Sequence, residues 1–460
     1  MENVKYRIVR TLRCKDLNIP GTLGKLTTMI GSVGAEIGNI ATVHTGYHYT
    51  TRDIEVLVRD EAHLKQLADK VRELPEVSIL QIRDEVLELH KNGKIKMMNT
   101  VPIVSLTDLR KVYTPGVANV CQLIVEQPEL KDVYTHISLS VAIVTDGTAI
   151  LGLGNIGPVA GMPVMEGKAA LLQQLVGISG IPILLDTIDP DEIVKTVKHI
   201  SSTFAGVQLE DIASPRCFVV EERLKNELSI PVMHDDQHGT AVVTLAALIN
   251  ACKLCHVSLH KAQIGIIGLG AAGLTIGKYL LRFTGNPPLG IARTEASLRR
   301  YAEQGGTPSS LDEIMKTADI VIGTSGVGGL IRPEMIKEGQ IILALSNPYP
   351  EISPEAAKAA GAALAVDGTT VNNLLGYPGI WRGILDAKAT GINYDIYKAA
   401  ALAIVDCTVE GELVPAVLDP RVHLAVAHSV ARAAMISGVA KKMLDDDYFE
   451  STNVKEPPIT

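Results

Sequence analysis

Residues 262–281 read AQIGIIGLGAAGLTIGKYLL: an apolar strand, a glycine-rich turn and the start of a helix. The turn has the pattern G-x-G-x-x-G. Its first glycine permits a tight turn, the second lets the backbone approach a diphosphate, and the third lets helix and strand pack closely. A diphosphate would lie at the helix N-terminus, where free N–H groups and the helix dipole favour an anion. The pattern predicts a Rossmann-type domain whose dinucleotide contacts Gly268, Gly270, Ala271, Ala272 and Gly273.

A second stretch, GLGNIG, repeats the glycine pattern at Gly152, Gly154 and Gly157. Pro158 follows it, and we expect no helix to begin directly after the last glycine. The context therefore differs from a dinucleotide turn. We predict a tight loop near the active site.

The strand that follows the dinucleotide turn ends in Ala292 and Arg293. NAD-binding domains usually have an acidic residue there, which binds the ribose 2′-hydroxyl, whereas an arginine accommodates the 2′-phosphate of NADP. Arg293 therefore slightly favours NADP. In the alternative, Arg293 is a surface residue and Glu295 or backbone groups bind the ribose, so both cofactors stay open.

Two pairs of carboxylates each follow an apolar strand: Glu210 and Asp211 in GVQLEDI, and Asp235 and Asp236 in PVMHDD. The carboxyl ends of parallel strands converge on one crevice, where clustered carboxylates repel one another unless a cation neutralises them. Oxygen ligands favour Mg²⁺ or Mn²⁺. Helix capping is the alternative for a single pair, because Asp is a preferred N-cap residue. Two pairs beside a dinucleotide motif favour the metal.

Two further side chains are candidates for proton transfer. Tyr113 precedes a Pro-Gly turn, and Lys168 is expected in the first turns of an apolar helix. Most tyrosines are packed rings and most lysines are solvated. A lysine in an apolar setting near a metal, however, loses its proton more easily and can act as a base.

Composition narrows the functional classes. With 460 residues, the chain should form two or three domains, and its net charge of −8 speaks against a nucleic-acid partner. Its N-terminal segment lacks a secretory apolar region and its apolar runs are rich in glycine, so we expect a cytoplasmic protein without a membrane partner. Cys252, Cys255 and His256 spell C-x-x-C-H, but they end an apolar helix and are interpreted as packing residues, not as a haem attachment site.

The predicted fold class is α/β. Residues 1–85 have a ferredoxin-like order of strands and helices, and the string IPGTLGKL…IGSVGAEIGNI at 19–40 resembles an ACT domain, a regulatory module that often binds amino acids. A module used only for dimerisation is the alternative. Residues 86–258 are predicted to form a substrate and metal domain, 259–445 the Rossmann-type domain with C-terminal helices, and 446–460 a polar tail.

Several motifs together resemble malic enzymes of the bacterial type, over residues 88–440. In chain order they are YTPGVA, VTDG, ILGLGNIG, MPVMEGKAALL, LEDI, HDDQHGTA, GIIGLGAAG, SNP and VNN. The resemblance implies oxidative decarboxylation of L-malate to pyruvate and CO₂, with reduction of NAD or NADP and with Mg²⁺ or Mn²⁺. It also implies at least a homodimer.

The resemblance assigns roles to individual residues. Tyr113 matches the general acid and Lys168 the general base. The metal ligands correspond to Glu210, Asp211 and Asp236, with Asp235 as an outer partner, and the substrate and ribose contacts to Asn347 and to Asn372 or Asn373. His234 and His238 are then not ligands. Ala149 stands where some relatives have an arginine that binds a malate carboxylate.

Other activities remain open at this point. A malolactic-type enzyme or an oxaloacetate decarboxylase would use the same site. An amino-acid dehydrogenase would share the nucleotide fold without needing the carboxylate cluster. An effector-binding protein with a decayed site is disfavoured by the intact Tyr, Lys and carboxylate set.

Overall fold

The computed structural model describes residues 8–150 and 152–451. The chain divides into two compact units, Met1–Lys96 and Met97–Thr460. No helix within the described residues is both long and apolar enough to cross a membrane. Most of the polar tail predicted at 446–460 lies outside the described residues, and the domain bounds within the second unit stay a prediction.

The first unit is a four-stranded antiparallel sheet with two helices against it. Its strand order is β2-β3-β1-β4. The core combines alternate residues of the strands with the apolar faces of the helices, including Leu12, Ile54, Leu26 and Leu67, all fully buried. The elements are β1 (Ile8–Leu17), α1 (Thr22–Ser32), β2 (Glu36–Thr45), β3 (Tyr49–Val58), α2 (Glu61–Arg72), β4 (Val77–Arg83) and α3 (Glu85–His90).

The second unit begins with three short helices that contain no buried residue, and continues into a parallel sheet of order β6-β5-β7-β8. Strands β5 and β7 are buried at every position, as expected for a parallel sheet covered on both faces. The elements are α4 (Leu106–Val112), α5 (Val117–Glu126), α6 (Lys131–Tyr134), β5 (Ser140–Thr145), α7 (Pro158–Val176), β6 (Ser179–Leu184), α8 (Pro190–Ile200), β7 (Gly206–Leu209), α9 (Arg216–Glu227), β8 (Val232–His234) and α10 (Asp235–Leu254).

A six-stranded parallel sheet follows, with the order β11-β10-β9-β12-β13-β14. This is the strand order of a dinucleotide-binding fold, with its switch point between the first and fourth strands. The elements are β9 (Ile264–Ile267), α11 (Ala271–Thr284), β10 (Leu289–Ile291), α12 (Glu295–Glu303), β11 (Thr307–Pro308), α13 (Leu311–Thr317), β12 (Ile320–Gly323), β13 (Ile341–Ala344), α14 (Pro354–Ala359), β14 (Leu364–Asp367), α15 (Tyr377–Asp386), α16 (Tyr394–Asp406), α17 (Pro420–Ile436) and α18 (Asp446–Glu450). The predicted α/β class is confirmed.

One local expectation was wrong. Helix α7 begins at Pro158, directly after the GLGNIG stretch, with Gly157 as its N-cap. Proline suits the first helical position because its fixed φ is helical and its missing N–H would have no partner there. The segment still differs from the dinucleotide turn, since β5 ends at Thr145 and a long loop separates strand from helix.

Candidate active site

The two carboxylate pairs lie at the carboxyl ends of adjacent parallel strands. Strands β7 and β8 pair in parallel, with Leu209 opposite His234, so the acidic residues that follow them are neighbours in space. The backbone N–H of Asp211 donates to Oδ2 of Asp236 at 2.8 Å. The structure thus brings together the carboxylates that the sequence placed at one crevice.

Lys168 reaches this cluster from the middle of helix α7, not from its first turns. Its Nζ lies 2.5 Å from Oδ2 of Asp235 and 3.2 Å from Oε1 of Glu210. The same ammonium lies 4.4 Å from the centroid of the Tyr377 ring. The expectation of an apolar setting was therefore wrong, because two buried carboxylates flank the lysine.

These neighbours determine the charge of Lys168. Burial on its own lowers the pKa of the ammonium, but the negative charges of Asp235 and Glu210 outweigh burial and hold that pKa well above its usual range. Lys168 is consequently charged in the structure as it stands. For Lys168 to act as a base, its ammonium group must first transfer a proton to another group.

Glu210 lies among more negative than positive charge. Burial raises the pKa of its carboxyl, Lys168 lowers it, and the other three carboxylates of the cluster raise it again, so the net pKa lies well above the usual range. One lysine therefore does not neutralise the cluster. The oxygen-only donors suit a hard divalent cation, although no three acidic, histidine or cysteine side chains among the described residues are arranged around a common metal position.

Backbone strain marks the same place. Asp211 has φ = +54°, in the left-handed region that non-glycine residues rarely adopt. Its carbonyl accepts a hydrogen bond from the N–H of Ala149 at 2.9 Å, which ties the loop after β5 to the carboxylate loop. The imidazole of His234 is fully buried, with Nε2 3.8 Å from Asp236. Neither of its ring nitrogens has a hydrogen-bond partner among the described residues.

Asp235, predicted as an outer partner of the metal ligands, forms a hydrogen bond with Lys168. Its Oδ2 accepts hydrogen bonds from Lys168 and, at 2.5 Å, from Nδ2 of Asn373. Asn372 points elsewhere, and its side chain accepts a hydrogen bond from the N–H of Leu374 as the N-cap of a short 3₁₀ helix. Of the two candidate asparagines, Asn373 is the one at the cluster.

Three residues of the site were missed from the sequence. Gln208 and Trp381 are fully buried, and Trp381 Nε1 donates to Gln208, whose amide in turn donates to Glu210. The hydroxyl of Tyr377 is buried and has no hydrogen-bond partner in the described part of the chain. No spacing pattern in the sequence indicates these contacts, since Gln208 and Trp381 are 173 positions apart.

Tyr113 lies apart from these contacts. It is the C-cap of helix α4 and is 66% exposed. Within residues 8–150 and 152–451, no hydrogen bond, ion pair or ring contact joins it to Lys168. Its role as general acid stays a prediction.

The dinucleotide turn has the geometry that its glycines require. Gly268 has φ = +103°, and a Cβ there would lie 2.6 Å from backbone atoms of Thr324 and Ser325. A Cβ at Gly270 would meet nothing within 4 Å, which leaves the N-terminus of α11 open to a ligand. Gly273 lies within α11, against the carbonyl of Gly268.

The structure also places the two other candidate residues for the cofactor, Asn347 and Arg293. A Cβ at Gly152 would lie 2.1 Å from the carbonyl oxygen of Asn347, so the GLGNIG loop packs directly on the SNP loop. The structure therefore places the glycine loop beside Asn347, and its nearness to the active site stays a prediction. Arg293 is exposed just after β10.

Comparison with known proteins agrees with this architecture. Residues 92–189 and 187–225 match the family "Malic enzyme, N-terminal domain", and residues 9–80 match "ACT domain". The chain is 57% identical to NAD-dependent malic enzyme 1 of Bacillus subtilis (strain 168) over 434 residues, 94% of this chain and 99% of that protein. It is 43% identical to the bifunctional malic/malolactic enzyme of the same organism over 397 residues, 80% of this chain and 97% of that protein.

A solved structure shows the same fold. The malic enzyme from Pyrococcus horikoshii Ot3 superposes with a TM-score of 0.74 at 37% identity, covering 80% of this chain and 93% of that chain. Sequence identity of this extent over nearly the whole chain, together with the shared fold, leaves one assignment. The chain belongs to the malic enzyme family and carries an N-terminal ACT domain.

Proposed function

We propose that the protein catalyses metal-dependent oxidative decarboxylation of L-malate to pyruvate and CO₂, with reduction of NAD(P)⁺. One observation carries the proposal: Lys168 and Asn373 converge on the same oxygen of Asp235. Lys168 comes from the four-stranded half of the unit, and Asn373 follows the last strand of the six-stranded sheet. A substrate at this point lies between the acidic cluster and the dinucleotide half.

The proposed proton transfers use two different groups. Lys168 accepts the proton of the C2 hydroxyl as hydride leaves C2, and the Asp235 carboxylate bound to Lys168 stores the ammonium's own proton. Burial and the neighbouring Asp236 raise the pKa of Asp235, against the effect of Lys168, so this carboxylate can take up a proton. Loss of the C4 carboxylate as CO₂ leaves the enolate of pyruvate, and Tyr113 protonates its C3. Each such group contributes about 10²–10⁴-fold to the rate.

The proposed metal ligands are Glu210, Asp211 and Asp236. The excess negative charge that raises the pKa of Glu210 supports a divalent cation at this place. When bound, such a cation acidifies the C2 hydroxyl and stabilises charge on the oxygen of the enolate. The amide of Gln208 donates a hydrogen bond to Oε1 of Glu210, the oxygen that also faces Lys168.

The proposed nucleotide contacts are the turn of Gly268, Gly270 and Gly273, together with Asn347. We favour NAD over NADP, because the relative of 57% identity is named NAD-dependent. Arg293 favours NADP instead, because its exposed position after β10 leaves it able to contact a 2′-phosphate.

We also propose that the protein is a homo-oligomer and that the ACT domain binds a small effector. Helices α4, α5 and α6 contain no buried residue. Large apolar side chains are exposed in and before them, including Met97 at 97% and Val104 at 86%. Apolar exposure of this kind is typical of a surface that another protein covers. The cytoplasmic location stays a prediction.

Initial rates test the proposed function. Purified protein with L-malate and Mn²⁺ should reduce NAD⁺ or NADP⁺ and form pyruvate, and EDTA should abolish turnover. Lys168→Ala should lose turnover, retain dinucleotide binding and be partly rescued by small amines, whereas the exposed Lys195→Ala serves as a matched control. Unchanged turnover of Lys168→Ala would remove this lysine from the mechanism.

A second activity is supported by the relative named as a bifunctional malic/malolactic enzyme. A malolactic reaction would convert malate to lactate and CO₂ with the dinucleotide returned to its oxidised form. Measuring lactate beside net reduced dinucleotide separates the two reactions. Lactate without accumulation of reduced dinucleotide would favour the malolactic reaction.

A further inference from the structure

Glu351 is a fully buried carboxylate in the loop that leads from β13 to α14. Its Oε1 accepts three hydrogen bonds: from the N–H of Ser325 at 2.7 Å, from Ser325 Oγ at 2.7 Å and from Ser346 Oγ at 2.5 Å. No lysine, arginine or histidine of the described chain forms an ion pair with it. Hydrogen-bond donors of two separate loops therefore converge on one oxygen of this side chain.

The protein leaves room for this carboxylate. A Cβ at Gly323, the last residue of β12, would lie 2.5 Å from the Glu351 carboxyl carbon. Further bonds join the two loops around it: Gly326 N–H donates to Ser346 Oγ at 2.8 Å, and Ile331 N–H donates to the Glu351 carbonyl at 3.0 Å. The segments after β12 and β13 are thereby connected along several residues.

Both loops lie beside the dinucleotide turn. Thr324 Oγ1 donates to the carbonyl of Gly268 at 2.7 Å, which connects the loop after β12 to the first glycine of the turn. The loop after β13 contains Asn347, which packs on Gly152 of the loop after β5. Glu351 thus belongs to the segment that carries Asn347, and its side chain accepts hydrogen bonds from the segment that supports the glycine turn.

We propose that Glu351 is a positioning residue for the dinucleotide. It holds the loops at 324–327 and 346–348 in the relative placement that receives the ribose and nicotinamide half of the cofactor. Its effect passes through Ser325 and Ser346, so it does not touch the reacting atoms. This inference rests on the proposed function for the identity of the ligand, a nicotinamide dinucleotide.

Direct binding tests the inference without turnover. The dissociation constant for NADH or NADPH is measured by fluorescence titration of the whole protein in the absence of malate. Glu351→Ala should raise that constant by about tenfold or more, because the hydrogen bonds that join the two loops are lost. Glu351→Gln retains an acceptor oxygen for Ser325 and Ser346 and should restore binding to within about threefold of the original. The exposed Glu355→Ala is the matched control and should bind normally.

Steady-state kinetics supply a second measurement. The KM for the dinucleotide should rise in Glu351→Ala, while the KM for malate changes much less. If Glu351→Ala does not fold, Ser346→Ala removes the hydroxyl that joins the two loops and should weaken dinucleotide binding in the same sense.

An unchanged dissociation constant in the folded variants, whatever their melting temperature, overturns the inference and leaves Glu351 a merely structural residue. The dissociation constant is measured without malate, so this outcome does not depend on whether the protein turns over malate. A protein that binds the dinucleotide through a Glu351-dependent site but does not turn over malate would refute the proposed function and leave this inference standing.

Discussion

Alanine at Gly270 and alanine at Gly273 should have different consequences, although both glycines belong to one motif. A Cβ at Gly270 meets nothing within 4 Å, and its φ of −82° suits alanine. A Cβ at Gly273 would lie 1.9 Å from the carbonyl oxygen of Gly268 and 2.8 Å from Thr324 Oγ1. Gly270→Ala should therefore weaken only the binding of a ligand, whereas Gly273→Ala should lower the stability of the protein.

The magnitudes follow from these distances. Relieving a contact about 1 Å too close against backbone costs about 1–3 kcal/mol in a well-packed core. For a domain of this size, each kcal/mol corresponds to about 2–4 °C, so Gly273→Ala should lower the melting temperature by about 2–12 °C. Gly270→Ala should keep the melting temperature but raise the dissociation constant of the dinucleotide by about tenfold or more, because its methyl group takes the space of the diphosphate.

Thermal unfolding without ligand, followed by fluorescence titration with NADH, measures both effects. Gly24→Ala, on an exposed helix face with nothing within 4 Å, controls for the general effect of alanine on glycine sites. Wild-type dinucleotide binding by Gly270→Ala would refute this turn as the diphosphate site. An unchanged melting temperature for Gly273→Ala would refute the packing argument.

Trp381→Phe should destabilise the protein by about 1–3 kcal/mol, because Gln208 loses its buried hydrogen-bond donor. The same substitution should raise the Mn²⁺ concentration needed for a half-maximal rate. An unchanged Mn²⁺ requirement would contradict this second expectation. Asn373→Ala should lower turnover, because Asn373 contacts Asp235. Asn372→Ala should only lower the free energy of unfolding, by about 0.5–2 kcal/mol, because it removes a helix cap. Kinetics and denaturant unfolding of both variants test this distinction, and an equal loss of turnover would contradict it. Arginine hydrogen bonds hold the pKa of Asp53 at about 2, below its usual range. This stabilisation is present above about pH 4 and is lost as the pH falls through the folded pKa. The stability difference between wild type and Asp53→Asn, measured by denaturant unfolding, should therefore shrink toward pH 2, and a constant difference would contradict the assignment.

Local patterns were sufficient for the dinucleotide turn. A strand, a glycine turn and a helix follow one another within residues 262–281, and each requirement of the turn is met by a residue close in sequence. The carboxylates were also predictable as a group, since parallel strands place their carboxyl ends at one edge. The helix that carries Lys168 begins earlier than predicted, directly after Gly157, because Pro158 occupies the one position where a helix accepts proline.

The electrostatics of the site depended on contacts that no local pattern contains. Lys168 meets Asp235 across 67 positions, and Asn373 reaches the same carboxylate across 138 positions. For this reason the surroundings of Lys168 were predicted as apolar and proved to be anionic. Tyr113, conversely, is prominent in the sequence but makes none of these contacts among the described residues.

The sequence by itself determined the α/β class, the glycine turn and the strand ends at which the acidic residues stand. These features depend on backbone conformation and on spacing along the chain, which nearby residues specify. Only the tertiary structure decided which carboxylate meets Lys168, which asparagine reaches the site, and that Glu351 joins two loops beside the turn. A charge or hydrogen bond acts through distances of a few ångströms in space, and the packing of separate strands and helices sets those distances.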